Sequence, residues 1–418
     1  MRRVLVICVA LALLLCGCGQ KREYKEILAF PVYGQSHALA ESAERVSDNN
    51  ELQSYGGRIL TQNLDTKFGY FADTWLKQRI KRLIGYKKRS FEISSYGMAE
   101  YMIDNDMIDK GSAICIFPGG RGATQIDGLK KGSQPYNKFL KEIKCAYKKA
   151  SKQGVKFRVP AVCWMQGESD ITNGGGATYK AKLLVLRSDM SNDIKKITGQ
   201  KEEVKFICYQ ANCITLAKTF NNYSFSMHEM EVPQSQLELV INDNNFIPSG
   251  PLYPYNYVDN YIHLDGVSQK RFGAIAALAA QRLLRGEAED VSLYPSSCNA
   301  CNDTVIRIAF KVPAAPLVFD TIAISKVDNY GFSVLNKSGV DILRRVQLEP
   351  ESVILYCNDK VSGTQVRYAV NGEKMKSGRI FGPRGNLRDS QGNSYSINIK
   401  GKIYSLPNWC WQFILPVR

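Results

Sequence analysis

The chain has 418 residues, 44% hydrophobic, 22% charged and 10% aromatic, which excludes a wholly disordered or collagen-like protein and leaves room for two or three domains. Lysine and arginine (55) outnumber aspartate and glutamate (39) by sixteen, a balance that draws a folded body towards anionic surfaces without naming a function. Beyond the first twenty residues no stretch is apolar enough to cross a bilayer.

Arg2 and Arg3 precede an apolar run, Val4 to Leu15, too short to span a membrane and of the length of an export signal's hydrophobic region. The run ends Leu15-Cys16-Gly17-Cys18, which resembles the lipobox of bacterial lipoproteins, where a small residue precedes a cysteine that receives lipid. The resemblance implies that residues 1–18 are signal peptide and lipobox and that Cys18 is the membrane anchor. The protein would then sit in the bacterial cell envelope, facing periplasm or exterior; plain secretion is the alternative. Without Cys8, Cys16 and Cys18, nine of the twelve cysteines remain, an odd number that cannot all pair within one chain. Cys298 and Cys301 form a CxxC with no second CxxC and no nearby histidine to complete a zinc site, so a local disulfide is expected in an oxidising envelope. Cys115, Cys163 and Cys208 lie in apolar runs, where a thiol behaves as a small hydrophobe.

Four segments read as buried strands: Ile27 to Tyr33, Ala113 to Phe117, Phe157 to Trp164, and Val204 to Tyr209. Helical patterns lie between them, at Tyr136 to Ala150 and Thr178 to Ile197. Alternation of this kind implies a mostly parallel sheet covered on both faces, with chemistry collected in the loops beyond the carboxyl ends of the strands. Ser268 to Arg285 makes a last helix with one apolar face and Gly286 as its C-terminal cap. After the acidic connector Glu287 to Asp290 the composition shifts to short β-rich runs, such as Thr304 to Val312, Val353 to Cys357 and Val366 to Val370, the pattern of an all-β sandwich. The expected organisation is an α/β domain over residues 21–286 and a β-rich accessory domain over 291–418.

Each of the first three strands is followed by a compact polar or glycine-rich loop: Gly34-Gln35-Ser36-His37, then Pro118-Gly119-Gly120-Arg121-Gly122, then Met165-Gln166-Gly167-Glu168-Ser169-Asp170. Glycines after strands commonly form turns, but three such loops at one sheet edge can converge. The chain has three histidines, His37, His228 and His263. His263 lies just ahead of the last helix with Asp259 and Asp265 on either side, and a carboxylate on one ring nitrogen would leave the other free to take a proton. His228 reads as a surface residue. His37 adjoins the candidate serine and can point elsewhere.

Gly34-Gln35-Ser36, the glycine loop with Gly122-Ala123-Thr124-Gln125-Ile126, the Trp164-Met165-Gln166-Gly167-Glu168-Ser169-Asp170 stretch and the Asp259 to His263 segment resemble, in order and spacing, the SGNH hydrolases. Within them the chain is similar to the sialate O-acetylesterase and acetylxylan esterase branch, over about Ile27 to Arg285. The resemblance implies an SGNH-type three-layer α/β/α domain with a mostly parallel sheet, followed here by the C-terminal β-sandwich. Its implied activity is a serine esterase that removes O-acetyl groups from carbohydrates. Ser36 would be the nucleophile, His263 the general base, and the Ser36 and Gly122 amides with the Gln166 side chain the oxyanion hole. No cofactor or metal is implied, and the partners would be an acetylated glycan and, through the lipid, a membrane.

Two departures stand out. The family's acid usually lies three residues before the histidine, where this chain has Asn260. Asp259 is the favoured substitute, Glu168 the reserve, and a Ser–His dyad the third option. Where the branch commonly has two glycines, this chain has Gly122 then Ala123. Two other functions stay open: a non-catalytic glycan-binding lipoprotein on an esterase scaffold, and an SGNH lipase or thioesterase. Trp409 and Trp411 are either a glycan-stacking pair or core. The basic run Lys77 to Arg89 reads as a solvated helix face, with no nucleic-acid partner.

Overall fold

The structure is a computed structural model that describes residues 24–47, 55, 57–61, 91–212, 228–287, 292–373 and 375–418. The signal segment with Cys18, the basic run Lys77 to Arg89, most of the acidic connector and the side chain of His228 lie outside the described residues. In chain order the first domain comprises β1 (Glu26–Ala29), β2 (Val32–Gly34), β3 (Ile59–Thr61), α1 (Ser94–Asp104), β4 (Ser112–Ile116), β5 (Pro118–Gly120) and α2 (Gln134–Ser151). There follow β6 (Lys156–Arg158), β7 (Ala161–Met165), α3 (Glu168–Thr172), α4 (Tyr179–Thr198), β8 (Lys205–Gln210), α5 (His228–Asn242), β9 (Phe246–Pro251), β10 (Tyr257–Val258), β11 (His263–Leu264) and α6 (Gly266–Arg285).

The strands pair in parallel as β3-β4-β1-β6 and β5-β2-β7-β8-β9. The two sets are one sheet, because β1/β2, β4/β5 and β6/β7 are successive halves of three strands. Hydrogen bonds run through the break, from Phe30 N to Cys115 O (2.9 Å), Val32 N to Phe117 O (3.0 Å) and Cys163 N to Pro31 O (2.9 Å). Pro31, Pro118 and Pro160 stand at this level on the three strands, and proline has no N–H to give a ladder. The uninterrupted strands expected at Ile27 to Tyr33 and Phe157 to Trp164 are therefore each two shorter ones. β4 and β7 are buried at every position, as a sheet covered on both faces requires.

Strands β3 and β9 and helices α1 and α5 are among the elements that escaped the sequence pattern. β9 reads Phe-Ile-Pro-Ser-Gly-Pro, a composition of turns, and β3 has three residues. α1 is buried along most of its length and so shows no polar face, while α5 carries Pro233 inside it. α1 and α6 pack backbone to backbone through glycines: a Cβ on Gly97 would stand 2.6 Å from Lys270 O, and one on Gly273 2.1 Å from Ser94 O. Beside this contact the buried Lys270 ammonium meets Glu100 at 2.8 Å and Ser47 Oγ at 2.9 Å. Asp265 caps α6 by accepting from Ser268 N at 2.7 Å, and Gly286 closes it in the left-handed conformation.

The second domain is antiparallel. Its elements are β12 (Tyr294–Asn302), β13 (Val305–Lys311), β14 (Val318–Phe319), β15 (Phe332–Leu335), β16 (Leu343–Leu348), β17 (Ser352–Cys357), β18 (Gln365–Tyr368), α7 (Gly378–Phe381), β19 (Leu387–Arg388), β20 (Ser396–Ile399), β21 (Lys402–Ser405) and β22 (Phe413–Pro416). Sheets β12-β13-β17-β16 and β15-β18-β22 form the two layers of a β-sandwich, with Ile306, Ile308, Val353, Leu355, Val334 and Phe413 buried between them. One sequence expectation is corrected here, and one alternative is decided. Cys298 and Cys301 are both free, one buried and one exposed, because alternate positions of β12 face opposite sides. Trp409 and Trp411 are core side chains, the latter fully buried with Nε1 donating to Ser292 Oγ at 2.8 Å.

The two domains share one continuous core. Gln210 Nε2 donates to Gln412 O (2.8 Å) while Gln412 N donates to Gln210 Oε1 (2.7 Å), and Tyr253 OH donates to Cys410 O (2.7 Å).

At the carboxyl edge the first three strands touch through glycines. A Cβ on Gly34 would lie 2.0 Å from Met165 O, and one on Gly120 1.8 Å from Gly34 O. Gly34→Ala is expected to cost about 3 kcal/mol, the upper range for overpacking, in chemical unfolding. An unchanged midpoint would show that the strands do not approach in this way.

Candidate active site

Ser36 follows β2 in a tight turn whose carbonyl accepts from Leu39 N (3.2 Å) and Glu41 N (3.0 Å). Gln35 ties this turn to the third loop: its side-chain Oε1 accepts from Ser169 N (3.1 Å) and Gly167 N (3.4 Å), and its backbone N–H donates to Met165 O (3.0 Å). Asp170 ties the second loop to the third by accepting from Ile126 N (2.9 Å) and Gln166 Nε2 (2.5 Å). Burial raises its pKa above the usual carboxylate value, against the bonds from Gln166 and Ile126. Gly122 is brought beside the serine: a Cβ built on it would lie 3.9 Å from Ser36 Cβ and 3.0 Å from Glu41 Oε2. Neither the Ser36 nor the Gly122 amide donates to a protein acceptor among the described residues, so both are available to an incoming oxygen.

The histidine arrives on a two-stranded ribbon, β10 and β11, in register Val258↔His263 and Tyr257↔Leu264. The four-residue tip holds Asp259 at φ 55° and Asn260 at φ 52°, left-handed positions that asparagine and aspartate tolerate better than other non-glycines. His263 is half-buried, and the ring of His37 lies edge-on to it with centroids 5.9 Å apart. Burial, followed by the neighbouring His37, lowers the His263 pKa below its usual 6.5, while the Glu41 and Glu168 carboxylates pull it back up.

Beside His263 is a buried polar core. His37 is 1% exposed and caged by Tyr209, Tyr257 and His263. Its Nε2 stands 3.6 Å from Glu168 Oε1, and burial depresses its pKa to about 4, against a rise from the Ile262 backbone. Glu168 is also fully enclosed, and Tyr209 OH lies 2.8 Å from both of its oxygens. Burial pushes its pKa up to about 7, opposed by hydrogen bonds from its own backbone and Tyr209 and by the charge of His263. Burial thus holds His37 neutral at neutral pH and leaves Glu168 about half protonated there, which limits the charge carried by groups with no access to solvent.

The structure thus gathers Ser36, Gly122, Gln166, Glu168 and His263 at one sheet edge. No hydrogen bond joins Ser36 Oγ to His263. The two N–H bonds of Gln166 are taken by Thr124 O (3.2 Å) and Asp170 Oδ2. Asp259 is exposed at the ribbon tip, with no hydrogen bond or ion pair to His263. The carboxylates that act on the imidazole are Glu41 and Glu168. Ala123 adopts φ 49°, so the second glycine of the usual pair is replaced by an alanine held left-handed, at about 1–2 kcal/mol. Glu41 and Tyr209 went unrecognised in the sequence. Tyr209 ends a parallel strand, the position where function collects, whereas Glu41 sits in an aperiodic turn that carries no signal.

A broken parallel sheet whose loops leave three adjoining strands at one edge is an α/β fold of SGNH type. Residues 93–282 match the family described as carbohydrate esterase, sialic acid-specific acetylesterase. The match contains Gly122, Gln166 and His263 and begins after Ser36. A carbohydrate acetylesterase from Xanthomonas citri has the same fold, at 15% identity and TM-score 0.58 over 93% of this chain and 80% of that one. A protein from Arabidopsis thaliana is similar at 16% identity and TM-score 0.42, over 63% of this chain and 98% of its own. NanS is similar at 14% and 0.42, over the same shares. No curated protein sequence matches the chain.

The raised pKa of Glu168 has a consequence for stability. An acid with a folded-state pKa above its unfolded value stabilises the fold below the unfolded pKa and loses that contribution as pH rises through the folded one. Wild type should therefore lose stability relative to Glu168→Gln between about pH 4.5 and about pH 7, read from denaturant unfolding of both proteins across that interval. Parallel curves would show that Glu168 ionises normally.

Proposed function

We propose that the domain hydrolyses O-acetyl esters of carbohydrate hydroxyls with Ser36 as nucleophile and His263 as general base. The observation that supports this reading is a buried serine beside Gly122, two amides without protein acceptors, and, across the ring of the adjoining His37, the His263 imidazole at 5.9 Å between ring centroids, its pKa lowered by burial. His263 takes the Ser36 proton as Oγ attacks the acetyl carbon, and the carbonyl oxygen becomes an oxyanion facing the Ser36 and Gly122 N–H groups. The tetrahedral intermediate collapses, the C–O bond to the sugar breaks, and His263 returns the proton to the departing hydroxyl. Water then attacks the acetyl-serine with the same base, releasing acetate and restoring Ser36.

Support for the imidazolium comes from Glu41 and Glu168, not from a carboxylate hydrogen-bonded to its far nitrogen. Gln166 becomes the third oxyanion donor only if it releases Thr124 or Asp170; otherwise it braces the loop. The absence of an Asp259 contact favours the second reading, a glycan-binding protein with little turnover, and release of acetate separates the two. Ser36→Ala and His263→Ala should each lower hydrolysis of a chromogenic acetate by about 10³-fold or more with unfolding temperatures unchanged. The acid limb of kcat/KM should fall below pH 6.5, since the base is depressed from that value. Activity retained in either variant would refute the assignment.

We also propose that the mature protein is anchored to the cell envelope through lipid on Cys18. Labelled palmitate should enter the wild-type protein and not Cys18→Ala; equal labelling of both would remove the anchor.

A further inference from the structure

The ribbon that carries His263 has two residue pairs, and so short a hairpin does not hold itself in water. α6 secures one flank: Asn256 N donates to Ser268 Oγ (3.0 Å), and Asp265 N to Asn256 O (3.2 Å). The other constraints come from the second domain. Ser377, Gly378 and Arg379, at the start of α7, lie along the ribbon, with Ser377 N donating to Asn260 O (2.8 Å), Arg379 N to Tyr255 O (3.2 Å) and Arg379 Nε to Asn256 Oδ1 (2.6 Å). Arg379 is fixed on its far side as well, since its Nη1 donates to Ala323 O (3.1 Å) and its carbonyl accepts from Ser325 N (3.0 Å). Gly378 sits at φ 84°, where a Cβ would lie 2.8 Å from both Tyr255 O and Tyr257 Cδ2.

The flank, the first strand and the left-handed tip of the ribbon are thus each touched by one tripeptide of the accessory domain. Domain adhesion alone does not need these contacts, because the Gln210–Gln412 and Tyr253–Cys410 bonds and the shared core join the domains elsewhere.

We propose that Ser377-Gly378-Arg379 are positioning residues for the catalytic histidine, so that the C-terminal domain is part of the hydrolytic machinery. The proposal rests on His263 as the base, and its test reads the ribbon both with and without catalysis. In full-length protein, Arg379→Ala and Gly378→Ala should each lower kcat about 10- to 100-fold, the range for a displaced catalytic group, with KM changed less than about threefold. Arg379→Lys, which can still reach Asn256, should recover part of the loss. Arg379→Ala combined with Asn256→Ala should be no slower than the slower single variant, as two ends of one contact require. Hydrogen exchange over residues 257–264 should accelerate in Arg379→Ala, whether or not the esterase assignment holds. Arg282→Ala removes an interdomain bond to Gln391 (3.2 Å) away from the ribbon and should keep wild-type kcat. Wild-type kcat in both ribbon variants, unchanged exchange of the ribbon, or an equal loss in Arg282→Ala would each overturn the proposal.

Discussion

The site depends on backbone contact without side chains. Gly120 lies against the Gly34 carbonyl and Gly34 against the Met165 carbonyl, at separations that leave no volume for a Cβ. This brings the ends of β5, β2 and β7 together, and the loops that leave those ends are then braced by Gln35 and Asp170 rather than by packing. The chain places polar bonds where a loop would otherwise drift. Ser36 and Gly122 come side by side because the strands behind them have nothing between them.

A second constraint is electrostatic. His37, Glu168 and Tyr209 form a polar core that solvent does not reach, and desolvation drives the histidine and the carboxyl towards their neutral forms. Two buried charges at this spacing would be costly, and the site avoids them by shifting proton affinities in opposite directions. His263 above feels the charge of carboxylates on two sides, the exposed Glu41 and the enclosed Glu168. Its proton affinity therefore reflects several distributed groups, and the exposed Asp259 is not among those that act on it.

Much of this was legible in the sequence. Strand–helix alternation showed the parallel sheet, and the glycines after three strands marked loops that the fold brings to one edge. The shift to short β runs after Gly286 marked the sandwich. What escaped depended on contacts distant in the chain. β9 looks like a turn because its prolines and glycine pair only in the context of β8, and α1 hides its periodicity because both of its faces are buried. Glu41 gains meaning only when the second loop folds against it. The expected cysteine pair failed for a local reason, since strand geometry turns positions 298 and 301 apart. The acid assigned at Asp259 rested on spacing in sequence, and the tip of the ribbon carries that side chain into solvent.

The three prolines at one level of the sheet divide it into two planks sharing a seam. The amides of Phe30, Val32 and Cys163 still donate across it, so the loop-bearing plank keeps its alignment on the other through single hydrogen bonds where an unbroken strand would offer a continuous ladder.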